Sequence, residues 1–241
     1  VTEHFNRDLV TMAGVAKGSG MIHPNMATML SFITCDANIN SKTLKHALNE
    51  VVDVTFNQIT IDGDTSTNDM VVIMSNGCTN NKEIIHNSDD YEKFKRMLEH
   101  VMKDLAKKIA KDGEGATKLI EVSVEGARNS SAAKMIAKSI VGSSLVKTAI
   151  FGEDPNWGRI IAAVGHTDTH FNIDNIDIYI GHIPVLKPSS PIDYDNEEIQ
   201  DIMSSGEVKI QIHLHNRDCN GKVWGCDLSY DYVKINALYT T

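Results

Sequence analysis

The sequence has no long apolar run, and its hydrophobic stretches stop well short of the roughly 20 residues that a membrane-spanning helix needs. Positive charge is also in short supply, because 23 Lys and Arg face 32 Asp and Glu, which leaves a formal net charge of -9 at pH 7. An acidic chain has no electrostatic attraction for nucleic acid or for an anionic membrane. We therefore expect neither a membrane nor a nucleic acid as a partner.

Cysteine is scarce, with four in 241 residues, and the four are scattered without the paired spacing of a zinc finger. They are Cys35, Cys78, Cys219 and Cys226. This pattern predicts free, buried thiols in a reducing compartment. A disulfide between Cys219 and Cys226 stays open as an alternative.

The N-terminus has neither an initiator methionine nor a signal or transit sequence. Val1 stands first, and residues 1–5 run directly into strand-like sequence. We therefore expect the chain to be cut from a longer polypeptide, and we expect a cytoplasmic location.

Strand-like and helix-like segments alternate along the chain without repeats or low-complexity tracts, which predicts an α/β architecture. β-branched and apolar residues predict strands at 9–16, 28–35, 70–74, 119–126, 176–183, 208–214 and 231–235. The strand at 28–35 is mostly apolar and is expected to be buried on both faces. Helical spacing predicts helices at 43–58, 89–111, 130–139, 157–164 and 196–204, with Ser41 as the first N-cap; 145–151 fits a strand or a helix end. The loop at 188–191 is a candidate lobe boundary.

The stretch around Thr28 has the layout of a self-cleavage site. Lys17 and a Gly-Ser-Gly turn come shortly before the small-residue junction between Ala27 and Thr28, and an apolar run follows at once. A threonine hydroxyl is a weak nucleophile alone, but the freed α-amine of the same residue can act as its base. An ordinary strand threonine after a loop is the alternative, and the residues alone leave both interpretations open.

Three polar loops and one histidine pair have both structural and functional interpretations. The acidic loop 62–69 suits a hard cation, a turn that ties down its own backbone, or a position beside an active site. Residues 112–118 form a glycine helix stop or place Glu114 at the mouth of a pocket, where it meets a substrate amine. In 152–159, Arg159 could pair with a carboxylate, or the loop caps the next helix with Trp157 packed beneath it. His213 and His215 share one strand face but lack a third ligand, so no metal site is expected.

Five motifs resemble one enzyme family. They are AKGSGMIHPNMATML (16–30), DGDTSTND (62–69), DGEGATK (112–118), GEDPNWGRI (152–160) and DLSYDYVKINALYTT (227–241). The five motifs follow one another in order and span nearly the whole chain. Together they resemble the ornithine acetyltransferases, the glutamate N-acetyltransferase family of arginine biosynthesis. The resemblance implies an N-terminal-nucleophile-like layered sandwich of helices and sheets with a smaller C-terminal α/β lobe. It also implies that the chain is the C-terminal part of such a protein: 1–27 the tail of the α chain, 28–187 the β-chain core, and 188–241 a segment returning to the active site.

The resemblance further implies an activity and its residues. The precursor is cut between Ala27 and Thr28, and Thr28 becomes the nucleophile that carries acetyl from N-acetylornithine to glutamate. The implied substrate-binding residues are Lys17, Thr28, Glu114, Asn236 and Thr241. No cofactor is expected, although acetyl-CoA is a candidate co-substrate. The α chain would pair with the β chain, in a heterotetramer of two of each.

The sequence departs from the family in one respect. Family members carry a long α segment with a Thr-Gly pair that forms the oxyanion hole and with a further substrate-binding threonine, and neither is present here. Oxyanion donors supply a large share of such rates. Two alternatives therefore remain: a self-processing N-terminal-nucleophile aminopeptidase or amidase, and an inactive fragment or scaffold remnant without the oxyanion hole.

Overall fold

The computed structural model describes residues 1–23 and 29–238. The chain forms two compact units. The N-terminal unit comprises Val1–Gln58 and Asp64–Ile109, and the C-terminal unit comprises Ile59–Gly63 and Ala110–Thr241. The second unit thus starts far ahead of the lobe expected from residue 188. The boundaries predicted after residues 27 and 187 were drawn from the cleavage site and from active-site roles, whereas the two units are defined by compact packing. The predicted division stays a prediction.

The mixed α/β class is confirmed by the elements of the described residues. The strands are β1 (Thr2–Phe5), β2 (Asp8–Lys17), β3 (Leu30–Cys35), β4 (Ile59–Thr60), β5 (Met70–Ser75), β6 (Leu119–Ala127), β7 (Asp177–Ile180), β8 (Ile183–Leu186), β9 (Glu207–His213) and β10 (Cys219–Cys226). The helices are α1 (Ser41–Val52), α2 (Asp89–Lys111), α3 (Ser130–Gly142), α4 (Ser144–Phe151), α5 (Trp157–Gly165), α6 (Asn196–Met203) and α7 (Tyr230–Leu238), with a 3-10 turn at Phe56–Gln58. Within these residues, no helix combines the length and the apolar character needed to cross a membrane.

The N-terminal unit is built on a four-stranded sheet in the order β1-β2-β3-β5. Its strands pair antiparallel except β3 and β5, which run parallel and in register. Helix α2 packs on one face, and it comes so close to β2 that a Cβ added at Gly14 would lie 2.9 Å from Leu105 and 3.0 Å from Val101. The apolar residues of α2 recur at helical spacing and form one face, as the sequence predicted.

The opposite face of this sheet, which we call the outer face, is exposed. Cross-strand partners share a face, and Val15 on β2 is paired with Phe32 on β3. Their exposed fractions are 66% and 39%, while Ile33 on the other face is fully buried. The expectation that β3 is buried on both faces is therefore wrong for Leu30–Cys35, because its side chains alternate between core and solvent.

The C-terminal unit is built on a six-stranded mixed sheet in the order β4-β10-β6-β9-β7-β8. β6 and β9 run parallel through the middle, and β10 pairs antiparallel with β6. Branched aliphatic side chains of these strands form one core with α3, α4 and α5, and Ile136 and Ile140 of α3 are buried in it. The helix starts where Asn129 accepts a hydrogen bond from the Ala132 backbone nitrogen at 2.8 Å.

Several predicted elements changed type or length. The terminal strand predicted at 231–235 is wrong, since these residues belong to helix α7, in which no residue is buried. The predicted strand 176–183 is the hairpin β7–β8, which turns at Gly181 with a φ of 62°. The first helix ends at Val52 and is capped by Asn40, whose side chain accepts from Thr43 at 2.9 Å, rather than by Ser41. Residues 145–151 are helical.

Helix α3 lies against β10 with almost no space between their backbones. A Cβ added at Gly221 would lie 2.7 Å from the backbone nitrogen of Lys134 on α3. One at Gly225 would collide with the Val141 side chain on α3 and would lie 2.6 Å from the carbonyl oxygen of Thr60 on the neighbouring strand β4. Real Cβ contacts are longer than this, and backbone atoms cannot rotate away. The two glycines therefore set the distance between sheet and helix.

We predict that Gly225→Ala lowers the free energy of unfolding by about 3 kcal/mol, because overpacking forces backbone shifts. Gly142→Ala is the matched control, since Gly142 ends α3 with open space around its Cα, and alanine there should leave stability unchanged or raise it by about 0.5–1 kcal/mol. Urea unfolding followed by tryptophan fluorescence reports on this unit, which holds both Trp157 and Trp224. Equal stability of the two variants would contradict the prediction.

Candidate active site

Three predicted site residues, Ala27, Thr28 and Thr241, lie outside the described residues. Their cleavage, nucleophilic and substrate-binding roles stay predictions. The residues on both sides of the cleavage junction are described, namely the stretch up to His23 and the chain from Met29 onward. What holds these flanks can therefore be read from the structure.

One loop, residues 64–69, is bonded to both flanks of the predicted cleavage junction. The Thr65 hydroxyl donates to the His23 carbonyl oxygen at 3.1 Å, and the Met29 backbone nitrogen donates to Asp69 Oδ1 at 2.7 Å. The loop also ties itself down, as the Thr67 hydroxyl donates to Asn68 Oδ1 at 2.7 Å. These bonds match one of the loop's three interpretations, a turn that ties down its own backbone. The position beside an active site stays a prediction, because Thr28 lies outside the described residues.

Asp69 sits at the shared edge of two parallel strands. Met29 directly precedes β3, Asp69 directly precedes β5, and the register places Leu30 beside Met70. Burial raises the pKa of the Asp69 carboxyl above its ordinary value, and the hydrogen bond from Met29 offsets part of that rise. The residue after Thr28 is thus held by a partly desolvated carboxylate.

Lys17 is the last residue of β2 and lies opposite Leu30, two positions after Thr28. Its side chain is exposed. Across 1–23 and 29–238, no carboxylate pairs with its ammonium group, which leaves the group available for an anionic ligand. This position is compatible with the predicted role in holding a substrate carboxylate.

In the C-terminal unit, the structure brings two predicted substrate residues together. The Asn236 side-chain nitrogen donates to Glu114 Oε2 at 3.0 Å, although 122 positions separate them. Asn236 lies on α7, and its nitrogen also donates to the Tyr232 carbonyl at 3.0 Å, which fixes the amide. A carboxylate held this way on a half-buried turn can accept further hydrogen bonds from an amine.

Asp227 organises the turn that carries Glu114. Its buried carboxylate accepts from the backbone nitrogens of Thr117 at 2.8 Å and Lys118 at 2.9 Å, and from the Thr117 hydroxyl. The Ser229 hydroxyl donates to the Gly115 carbonyl. One carboxylate therefore joins the turn after α2 to the segment that leads into α7.

Gly115 is required at this junction for two reasons. Its φ of 67° is in the left-handed region, and a Cβ there would lie 2.8 Å from the backbone carbon of Asp231. The glycine was predicted as a helix stop, and the structure adds that it lets the first turn of α7 approach the backbone closely. The helix-stop interpretation of 112–118 therefore applies, and the place of Glu114 at the mouth of a pocket stays a prediction.

The motif 152–160 meets the same turn through an ion pair. Lys118 Nζ lies 2.7 Å from Glu153 Oε1 and donates to the Met203 carbonyl at 2.7 Å. The Lys118 ammonium holds the pKa of Glu153 below its usual value. Arg159 instead donates to the Leu145 carbonyl at 2.9 Å and has no carboxylate partner in the described ranges. Asn156 caps α5, so the capping interpretation of this loop holds.

The sequence analysis missed Lys147, a buried lysine on α4. Its ammonium donates to the Ile61 carbonyl at 2.7 Å and to the Cys226 carbonyl, which anchors the chain just before Asp62. Burial raises the pKa of the Cys226 thiol, and the lysine offsets part of that rise. The signal was a lone lysine within the apolar run 145–151.

The remaining candidates for metal binding are engaged elsewhere. His215 lies 3.0 Å from Asp177 and His213 lies 3.5 Å from Glu125. Within the described part of the chain, no group of three or more His, Cys, Asp and Glu side chains could hold a metal ion.

All four cysteines are free thiols in the described part of the chain. Cys219 and Cys226 stand at opposite ends of the extended strand β10, too far apart for a disulfide. Cys35 and Cys226 are buried, as predicted, while Cys78 is exposed.

Comparison with known proteins defines the class and then the family. A crystal structure of the arginine biosynthesis bifunctional protein argJ from Bacillus halodurans superposes with a TM-score of 0.86 at 53% identity, over 88% of this chain and 100% of that one. The fold is thus a mixed α/β fold of the N-terminal-nucleophile class. The ArgJ family model matches residues 1–241, so this chain belongs to the ArgJ family.

Curated relatives carry the name arginine biosynthesis bifunctional protein ArgJ. The protein from Staphylococcus epidermidis is 73% identical and that from Streptococcus mutans 68% identical, each over all 241 residues. The protein from Geobacillus stearothermophilus is 57% identical over 232 residues. The chain spans 61% of the length of the first two relatives.

We predict that Asp227→Ala lowers the free energy of unfolding by about 3 kcal/mol, because two backbone N–H groups lose a charged acceptor. Asp231→Asn serves as the control, since the Asp231 carboxylate is exposed and pairs only at the surface with Lys234. Urea unfolding of the two variants checks the difference. Stability loss of the same size in both would mean that Asp227 does not hold this junction.

Proposed function

We propose that the chain carries the catalytic threonine of an acetyltransferase that moves acetyl from N-acetylornithine to glutamate in arginine biosynthesis. Family membership supports the reaction class. The observation that carries the proposal is the hydrogen bond between Asn236 and Glu114. The family resemblance implies a substrate-binding role for both residues, and 122 positions of chain separate them.

Maturation precedes turnover in this proposal. The Thr28 hydroxyl oxygen attacks the Ala27 carbonyl carbon, the peptide C–N bond breaks, and the Thr28 nitrogen becomes a free amine while Ala27 is held as an ester. Water then hydrolyses the ester. The bonds from the 64–69 loop to His23 and Met29 support this scheme, because they hold the chain on both sides of the junction.

Turnover then proceeds in two transfers. The free Thr28 amine, with a reference pKa of about 7.7–8.0, takes the hydroxyl proton as the oxygen attacks the acetyl carbonyl of N-acetylornithine. The amide C–N bond breaks, ornithine leaves with the proton, and an acetyl ester remains on Thr28. The glutamate amine attacks that ester, N-acetylglutamate leaves, and the hydroxyl is restored. Glu114 pairs with a substrate amine and Lys17 with a carboxylate.

The proposal also covers the second acetyl donor, the oxyanion donors, the subunit assembly and the location. Acetyl-CoA is a second donor, in keeping with the word bifunctional in the relatives' names. The oxyanion donors lie in the α segment of the family, and the assembled protein is a heterotetramer of two α and two β chains. A cytoplasmic location accords with the four free thiols.

We predict that Thr28→Ala, made in the natural protein, leaves the chain uncut and lowers kcat/KM for acetyl transfer by at least about 10³-fold, since nucleophile and base are lost together. Thr28→Ser is the control, because it keeps a hydroxyl and should still be processed. Intact mass spectrometry reports cleavage, and release of ornithine reports turnover.

The same assay separates the rival activity. A wild-type protein that hydrolyses peptides but leaves N-acetylornithine intact would be an aminopeptidase or amidase instead. An uncut yet active Thr28→Ala variant would refute the scheme.

We predict that Glu114→Gln raises KM for N-acetylornithine by about tenfold or more with little change in stability. The amide oxygen still accepts from Asn236, while the charge that attracts an amine is gone. Steady-state kinetics with both substrates provide the measurement. Asp112→Asn, in the same turn, is the control for charge alone. An unchanged KM would remove Glu114 from substrate binding.

A further inference from the structure

A cavity of about 450 Å³ belongs entirely to the N-terminal unit. Its lining comes from the second half of α1, the 3-10 turn after that helix, and the residues at the start of β3 and β5. Five of these side chains are apolar, two are amides and two are carboxylates. A mostly apolar cavity of this size with a few polar groups has the make-up of a small-molecule site. Lys17, Glu114 and Asn236, which have predicted substrate roles, do not line it.

The lining carries negative charge without a positive side chain to offset it. The two carboxylates are those of Asp53 and Asp69, and none of the described lining residues is a Lys, Arg or His. Asp53 is also the C-cap of α1, where the helix dipole adds partial negative charge. The last turn of α1 contains no basic residue. Both the carboxylates and the helix end therefore favour a cation in this cavity.

Two residues of the lining have a buried side-chain oxygen that lacks a donor. Asp69 Oδ1 accepts from the Met29 nitrogen at 2.7 Å, but Oδ2 meets no donor within 1–23 and 29–238. Asn57 Oδ1 is in the same state. Buried oxygens without donors are costly, and a desolvated charge is screened less than one at the surface. A cation bound in the adjacent cavity would offset part of that cost.

We propose that this cavity binds a primary alkylammonium ion. The ammonium group lies toward Asp69 and Asp53, and the alkyl chain packs on Leu48, Val52 and Phe56. The lining selects its ligand by charge, because a carboxylate or a phosphate would meet two like charges, and a neutral alcohol would gain only the burial of its chain. This inference does not depend on the proposed function.

The first experiment titrates the natural protein with pentylammonium, pentanol and pentanoate, which are similar in length and differ in charge. NMR signals of each ligand report its Kd. We expect pentylammonium to bind at least about tenfold more tightly than pentanol, since charge-assisted contacts are the stronger ones, and we expect no binding of pentanoate. Equal affinity for the alcohol and the ammonium ion, or no binding of the ammonium ion, would overturn the inference.

The second experiment locates the site by substitution. Asp69→Asn keeps an oxygen for the Met29 N–H and removes the charge, so affinity for pentylammonium should fall about tenfold. Asp36→Asn is the matched control, because Asp36 accepts from the Thr11 backbone nitrogen at 2.8 Å and is not in the lining. Glu114→Gln is a second control, since Glu114 is the carboxylate proposed to pair with a substrate amine. Both controls should bind pentylammonium as the wild type does.

Wild-type affinity in Asp69→Asn, or an equal loss in either control, would place the ammonium ion elsewhere and overturn the inference. Calorimetry without ligand checks that each variant is folded. Should Asp69→Asn fail to fold, Val52→Phe takes its place, because the larger side chain fills part of the cavity from α1 and leaves both carboxylates. Wild-type affinity in Val52→Phe would likewise overturn the inference.

Discussion

The C-terminal unit depends on one buried carboxylate. Asp227 has 2% of its surface exposed, and it receives the backbone N–H groups of a turn that lies 109 or 110 positions earlier in the chain. Without that acceptor, the turn would leave buried N–H groups unpaired. With it, the turn that carries Glu114 and Lys118 is joined to the segment that leads into α7. The motifs 112–118 and 227–241 are thus two halves of one junction.

The N-terminal unit holds the two described flanks of the predicted cleavage junction. Parallel strands β3 and β5 begin at the same sheet edge, so the loop before β5 runs beside the chain before β3. The 64–69 loop uses this adjacency to bond His23 and Met29. The polar residues of this loop have a composition that suits a cation site, but Thr65 and Asp69 form hydrogen bonds with the backbone of the flanking chain instead. Oxygen-rich composition alone does not distinguish the two uses.

Long periodic elements could be predicted from the sequence, and long-range polar contacts could not. The helix over 89–111 was predicted to the residue, because its apolar stripe repeats through six turns. Strand β10, with the sequence CNGKVWGC, was missed because its glycines interrupt the run of β-branched and apolar residues that predicts a strand. The same glycines leave room for the close approach of α3. Residues 231–235 alternate between polar and apolar side chains as a strand does. They belong to α7, in which no residue is buried, so their apolar side chains do not mark a face that packs on a core.

The site residues came from the resemblance rather than from periodicity. Nothing local to Glu114 or Asn236 indicates that they meet, because the contact depends on the tertiary path set by Asp227. Asp69 was noted only as part of an acidic loop, and its hydrogen bond with the Met29 nitrogen depends on the adjacency of β3 and β5. Lys147 carried a readable signal, a charge within an apolar helix, which the sequence analysis passed over.

Helix α7 carries a predicted substrate-binding residue, Asn236, and is weakly anchored. None of its residues is buried, and Leu238 is 81% exposed, so the hydrophobic effect contributes little to keeping it folded. Elements with few buried contacts open locally at a free energy below that of global unfolding. Part of the affinity of any ligand that touches Asn236 then goes into ordering α7, and a more rigid helix would bind the same ligand more tightly and release it more slowly.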